Sequence, residues 1–195
     1  MITLETLKKS ARPNITEINR EFIIGVDTAP NKAIITLGSI RLIDSGPKTR
    51  FHIRNVFEAS LDLTLEDLPG LVEYYNVNTL VVDIGPERVW AEKLIESVDC
   101  NAFLCNYTKN SPKSSHDNIL NIERNNALDL VFDTFNEDSI SVNSDFEDKF
   151  PANWANQLTN VERAYFDGKT KYITTGSDNF FHSLVYAMLA AKYKS

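Results

Sequence analysis

Glu21-Phe22-Ile23-Ile24-Gly25-Val26-Asp27-Thr28 decides how this chain is read. The run is apolar and β-branched, and it stops on an acid. A continuous apolar run of this length marks a strand covered on both faces, because neither side alternates toward water. A carboxylate at the end of such a strand lies at the rim of a sheet, where a cation reaches it. A lone strand-end Asp most often caps a helix or solvates a loop. Its meaning depends on whether later segments bring further ligands to the same rim.

Working outward, Ala33 to Ile43 and Arg50 to Ala59 read as two more strands. Ala29-Pro30-Asn31 and Asp44-Ser45-Gly46-Pro47 are the turns between them, so the three form an antiparallel meander. Gly46-Pro47-Lys48-Thr49 lacks the spacing of a phosphate loop and leads into a strand, so no nucleotide-hydrolysing site is read there. Thr64 is the expected N-cap of a helix whose apolar period runs through Leu65, Leu68, Leu71, Val72 and Tyr75. Thr79-Leu80-Val81-Val82-Asp83 is a second buried strand that ends on an acid. Pro86 suits the first turn of a helix over about 87–98, and Ala102 to Tyr107 is the next strand. Strands alternating with helices imply parallel pairing through crossovers.

Thr108 to Asp117 reads as a polar loop, and Ile119 to Phe135 as a helix. Ile140 to Val142 is a short strand, and Phe146 to about Ala164 is expected to be mainly helical with a break at Pro151. Asp167-Gly168 within Tyr165 to Thr175 signals a hairpin. The last helix, Ser177 to Lys192, buries Phe181, Leu184, Val185, Met188 and Leu189. The expected class is α/β: a mixed sheet of three antiparallel strands and then parallel ones, with helices on both faces. Residues 1–20 are the expected linker or N-terminal arm, with at most a short helix, and residues 21–195 the domain.

An apolar content of 43% is enough for a real core. Cys100 and Cys105 have no partners at disulfide or zinc spacing and read as core thiols in a reducing compartment. The sequence has neither an apolar run of membrane-spanning length nor the apolar core of a signal peptide, so an intracellular protein with no membrane partner is expected. A net charge of −7 counts against a simple basic nucleic-acid surface. A DNA-handling chain of this charge needs an acidic metal cluster or a cationic partner domain, and its own DNA binding should be weak and strongly salt-sensitive.

The expected sheet makes the strands ending in Asp27 and Asp83 neighbours. Two carboxylates side by side repel, and one tends to keep its proton. A hard divalent ion removes that repulsion. Asp178 and His182, four residues apart, share one face of the last helix. Phosphodiester hydrolysis needs an activated water, charge stabilisation at phosphorus and help for the leaving oxygen. Two cations roughly 3.5–4 Å apart supply all three. Asp27 is the natural bridging ligand and Asp83 holds one ion, while Asp178 or His182 completes the other.

Four stretches resemble the C-terminal nuclease domain of the large terminase subunit of tailed double-stranded DNA bacteriophages. They are Ile23-Ile24-Gly25-Val26-Asp27, Leu80-Val81-Val82-Asp83-Ile84-Gly85, the Arg124-containing Glu123 to Asp129, and Ser177 to Ala187. The resemblance spans about residues 21–193. It implies an RNase H-like fold and a Mg²⁺- or Mn²⁺-dependent endonuclease with two ions. Such an enzyme cuts concatemeric viral double-stranded DNA during packaging, in the host cell cytoplasm. It also implies a terminase ATPase domain, a small terminase subunit and a portal protein as partners. Most family members have Asp where this chain has His182, with Asp178 one turn earlier. RuvC-like nucleases of the same superfamily tolerate His there.

Arg124 matches a family position or serves as a helix-surface ion-pair partner. Lys109, Lys113 and His116 are DNA-contact candidates or ordinary loop charge, and Glu87, four residues after the second acid, is a further metal-ligand candidate or a helix-start acid. Glu58 could face the rim, and Trp90 and Trp154 read as core or interface aromatics. Two rival readings use the same residues: a RuvC-like junction-resolving or repair nuclease, and a catalytically weak docking module of a packaging motor.

Overall fold

The computed structural model describes residues 1–12, 19–41, 51–109 and 118–193. Helix α1 (Leu4–Ser10) and strand β1 (Ala11–Arg12) lead to the meander β2 (Arg20–Ala29), β3 (Lys32–Arg41) and β4 (Phe51–Ser60). Helix α2 (Leu61–Tyr75), β5 (Thr79–Asp83), α3 (Arg88–Ser97), β6 (Asn101–Thr108) and β7 (Ile119–Glu123) follow. Then come α4 (Arg124–Asn136), β8 (Ile140–Asn143) and the short helices α5 (Phe146–Lys149) and α6 (Trp154–Thr159). The hairpin β9 (Val161–Phe166) and β10 (Lys169–Thr174) precedes α7 (Asn179–Lys192). None of the described helices is long and apolar enough to cross a membrane.

One sheet has the order β1-β8-β4-β3-β2-β5-β6-β7. β3 pairs antiparallel with β2 and β4, and every other pairing is parallel, so β3 alone runs against the rest. This is the expected RNase H-like mixed sheet. Val26 lies opposite Val82, which makes the strands carrying Asp27 and Asp83 neighbours; β5 ends on its acid, but β2 does not stop at Asp27 as expected and pairs with β3 as far as Ala29.

β2 is covered on both faces, as its apolar run requires. Phe22, Ile24 and Val26 join the core under α2 and α3 with Leu68, Val72, Leu80, Val82 and Leu94. Ile23 joins the opposite core with Val81, Cys105, Leu184 and Ala187. Ile23, Ile24 and Val26 have no exposed surface, and burial of each contributes about 1.5–3 kcal/mol. α7 lies directly on β2 at Gly25. A Cβ there would come within 2.1 Å of the Ala187 nitrogen and 2.2 Å of the Ser183 carbonyl oxygen. The Ser183 hydroxyl bonds Thr36 of β3 at 2.7 Å, which fixes the helix over the sheet. Small residues at the crossing thus set the depth of α7.

Several local expectations are corrected. Ile119–Glu123 is strand β7, not the first turn of a helix, because it pairs with β6 from Leu104↔Ile119 to Thr108↔Glu123. Val161–Ala164 lies in β9, where it completes the hairpin with β10 instead of extending a helix. The cap of α2 is Ser60, which accepts from the Leu63 amide, while Thr64 sits inside the helix and donates to the Ser60 carbonyl. Pro86 precedes the N-cap Glu87 of α3 and so lies outside that helix. Within residues 1–20, α1 has a Thr3–Thr6 capping box, Ile2 and Leu7 are buried, and β1 pairs with β8. The turn at 44–47 lies outside the described residues.

Candidate active site

Asp27 and Asp83 extend β2 and β5 one residue beyond the Val26–Val82 pair, at the same rim of the sheet. Asp27 follows Gly25 on the α7 face and is only 6% exposed. Burial pushes its carboxyl well above the ordinary range; the nearby charges of Asp83 and then Asp178 add to that, against a hydrogen bond from the Thr28 backbone. Asp83 accepts a 3.4 Å hydrogen bond from the Thr28 hydroxyl. Its carboxylate folds over Gly85, where a Cβ would stand 2.2 Å from Oδ2. Cys105 pairs with Asp83 across the β5–β6 ladder. Burial, then Asp83, pushes that thiol up and keeps it inert.

Asp178 is the N-cap of α7, and His182 follows one turn later. The His182 Nε2 stands 3.3 Å from Asp178 Oδ2. The Thr174 hydroxyl at the end of β10 donates to the same oxygen at 3.2 Å. Burial alone would raise the Asp178 carboxyl, but the His182 hydrogen bond and charge, Thr174 and the nearby Arg124 outweigh it and hold the carboxyl below the usual range. The other His182 nitrogen, Nδ1, lies 3.1 Å from the Tyr107 hydroxyl on β6. Tyr107 stacks on Tyr186 of α7 with ring centroids 5.7 Å apart.

Asp27, Asp83, Asp178 and His182 are thus brought to one rim, with Arg124 close enough to act on Asp178. The remaining candidates fall elsewhere. Glu87 stands at the N-cap position of α3 without a side-chain capping bond, and Glu58 pairs with Lys32 at 3.1 Å. Trp90 donates to the Leu61 carbonyl, and Trp154 is fully buried. Lys109 ends the described part of its loop, and Lys113 and His116 lie outside the described residues. Gly85 belongs to the second motif quoted from the sequence, whereas Tyr107, Thr174 and Gln157 of α6 are given no role by any local signal there.

Asp27, Asp83 and Asp178 offer hard oxygen donors; burial first, and then the charges of Asp83 and Asp178, push the Asp27 carboxyl up, and a divalent cation would oppose each of these effects. The donor chemistry fits such a cation. Among the described residues, no three His, Cys, Asp or Glu side chains are gathered tightly enough to hold a metal ion as they stand, so the acids form an open group.

No protein-family model and no curated protein matches the sequence. Solved structures do match in shape. The large terminase nuclease of thermophilic phage G20c superposes with a TM-score of 0.56 at 17% identity, covering 95% of each chain. The fold is that of the terminase nucleases. The Mn-soaked terminase nuclease domain of human cytomegalovirus gives 0.56 at 10% identity, covering 97% of this chain and 94% of that one. The nuclease domain of the large terminase subunit of bacterial virus Sf6, solved with manganese, gives 0.52 at 12% identity over 95% of each chain. Across terminase nucleases from phages and a herpesvirus, then, this sheet and its helices recur with little sequence in common.

Proposed function

We propose that this chain is a divalent-metal-dependent endonuclease of the terminase type, which cuts concatemeric viral double-stranded DNA during packaging. The observation that carries the reading is the meeting of buried Asp27 with Asp83 and Asp178 on one rim of this fold. The Mn-containing structures of similar domains support Mg²⁺ or Mn²⁺ as the cofactor. Asp27, which feels the charges of both other acids, would serve both ions; Asp83 would hold one, and Asp178 or His182 would complete the other. When bound, the ions would activate the attacking water and stabilise charge on the scissile phosphate and leaving oxygen.

The protein's own groups keep this rim in order. Thr28 orients Asp83, and Thr174 and His182 orient Asp178. Lys169 and Lys171 on the neighbouring hairpin are exposed, as are the rings of Tyr165 and Phe166, and together they offer phosphate and base-stacking contacts in an otherwise acidic chain. The ATPase domain, small subunit and portal protein belong to the same proposal, as does the host cytoplasm as its place of action.

Plasmid nicking in Mn²⁺ tests the reading. Asp27→Asn and Asp83→Asn should each abolish cleavage while the protein stays folded by circular dichroism. Parent-like cleavage by either variant would refute the assignment.

A further inference from the structure

Asp178 stands where an Asp normally caps its own helix. An N-cap carboxylate usually accepts from the backbone N–H two or three residues on. Asp178 makes no such bond. The Phe180 amide, its natural donor, instead meets Gln157 Oε1 of α6 at 3.0 Å. A side chain from another helix therefore performs the capping, and the Asp178 carboxylate is released for other contacts.

Those contacts gather on one oxygen. His182 Nε2 and the Thr174 hydroxyl both reach Oδ2. Among the described residues, none makes a hydrogen bond to Oδ1. His182, by contrast, has both ring nitrogens in contact: Nδ1 lies 3.1 Å from the Tyr107 hydroxyl and Nε2 lies 3.3 Å from Asp178 Oδ2. A His that ligated a metal would have to give up one of these two contacts.

We infer that Asp178 is the third metal ligand and that His182 is a positioning residue: the Tyr107–His182 pair clamps Oδ2 of Asp178, while Gln157 caps the helix in its place. The inference rests on the metal-dependent nuclease reading and assigns roles within that site. Hydrogen-bonded partners behind a ligating group fix its orientation, and their loss typically weakens metal binding roughly 10- to 100-fold.

Calorimetric titration of the whole chain with Mn²⁺ tests it, with thermal melting to separate loss of fold from loss of binding. His182→Ala should weaken Mn²⁺ binding by roughly 10- to 100-fold. His182→Gln, whose amide offers both a donor and an acceptor, should recover most of that loss. Tyr107→Phe removes one oxygen and should weaken binding by a smaller factor. Combined with His182→Ala it should add nothing, because both changes break one chain. A His182→Gln variant as weak as His182→Ala, or a Tyr107→Phe variant with parent affinity, would overturn the positioning role while leaving the nuclease reading intact. A parent protein that binds no Mn²⁺ would overturn both. Tyr107→Phe decides the matter should His182→Ala fail to fold.

Discussion

Phe22, Ile24 and Val26 leave β2 toward α2 and α3, while Ile23, Gly25 and Asp27 leave it toward α7. The first face is filled by large apolar side chains that interlock with two helices. The second passes from Ile23 to a glycine to an acid within five residues, under a helix whose backbone touches the strand. The contrast shows how one strand serves a core and a site together. The apolar face holds the strand still. The other gives up side-chain volume at Gly25 so that α7 descends and brings Asp178 and His182 over the rim.

The faces should respond differently to small changes. Gly25→Ala drives a methyl into the α7 backbone, where no side chain can move aside, and should cost about 3 kcal/mol or more in chemical denaturation. Ile24→Val on the opposite face should cost only about 0.5–1.5 kcal/mol and keep cleavage intact. Equal losses for the two would mean that α7 yields easily at the crossing. Gly85→Ala displaces a carboxylate instead of a backbone. It should leave the melting temperature nearly unchanged while Mn²⁺ affinity in calorimetry falls by about tenfold, or 1.4 kcal/mol.

The smallest effect concerns acidity without metal. The folded carboxyl of Asp27 titrates above its reference value of 3.8. As pH rises past that reference the unfolded chain ionises first, so stability declines until the folded carboxyl has ionised too, then levels off. Asp27→Asn should remove that decline and raise the metal-free melting temperature at neutral pH. No Ile24 or Val26 substitution should alter the pH profile. A parent protein whose melting temperature is flat over this range would show that the site face carries no such penalty.

The fold was readable where local pattern and packing agree. Apolar runs stopping at Asp27 and Asp83 marked two central strands, and Asp167-Gly168 marked the hairpin. Ile119–Glu123 was misread because its alternation with Asn121 runs straight into a true helix, and only pairing with β6 makes it a strand. Val161-Glu162-Arg163-Ala164 has good helix formers, but Arg163 reaches across to Asp129 at 3.1 Å and Asp133 at 2.7 Å on α4, which holds the segment against that helix as a strand. Asp27 and Asp83 could be placed on neighbouring strands because an apolar run marks its strand, although β2 runs on past Asp27 to Ala29 through its pairing with β3. Tyr107 and Gln157 were not legible, since each acts on α7 across many residues of intervening chain, and nothing near them in the sequence differs from ordinary core positions.

The Thr36–Ser183 hydrogen bond joins residues 147 positions apart. Contacts of such separation form late, after the local meander of β2, β3 and β4 has closed its short loops. During synthesis the strands bearing Asp27 and Asp83 leave the ribosome long before α7 exists. A nascent or half-folded chain therefore displays two acids on a sheet but no third group. On the proposed nuclease reading, cutting competence would arrive only with the docking of α7, and completion of folding would itself guard against premature cleavage.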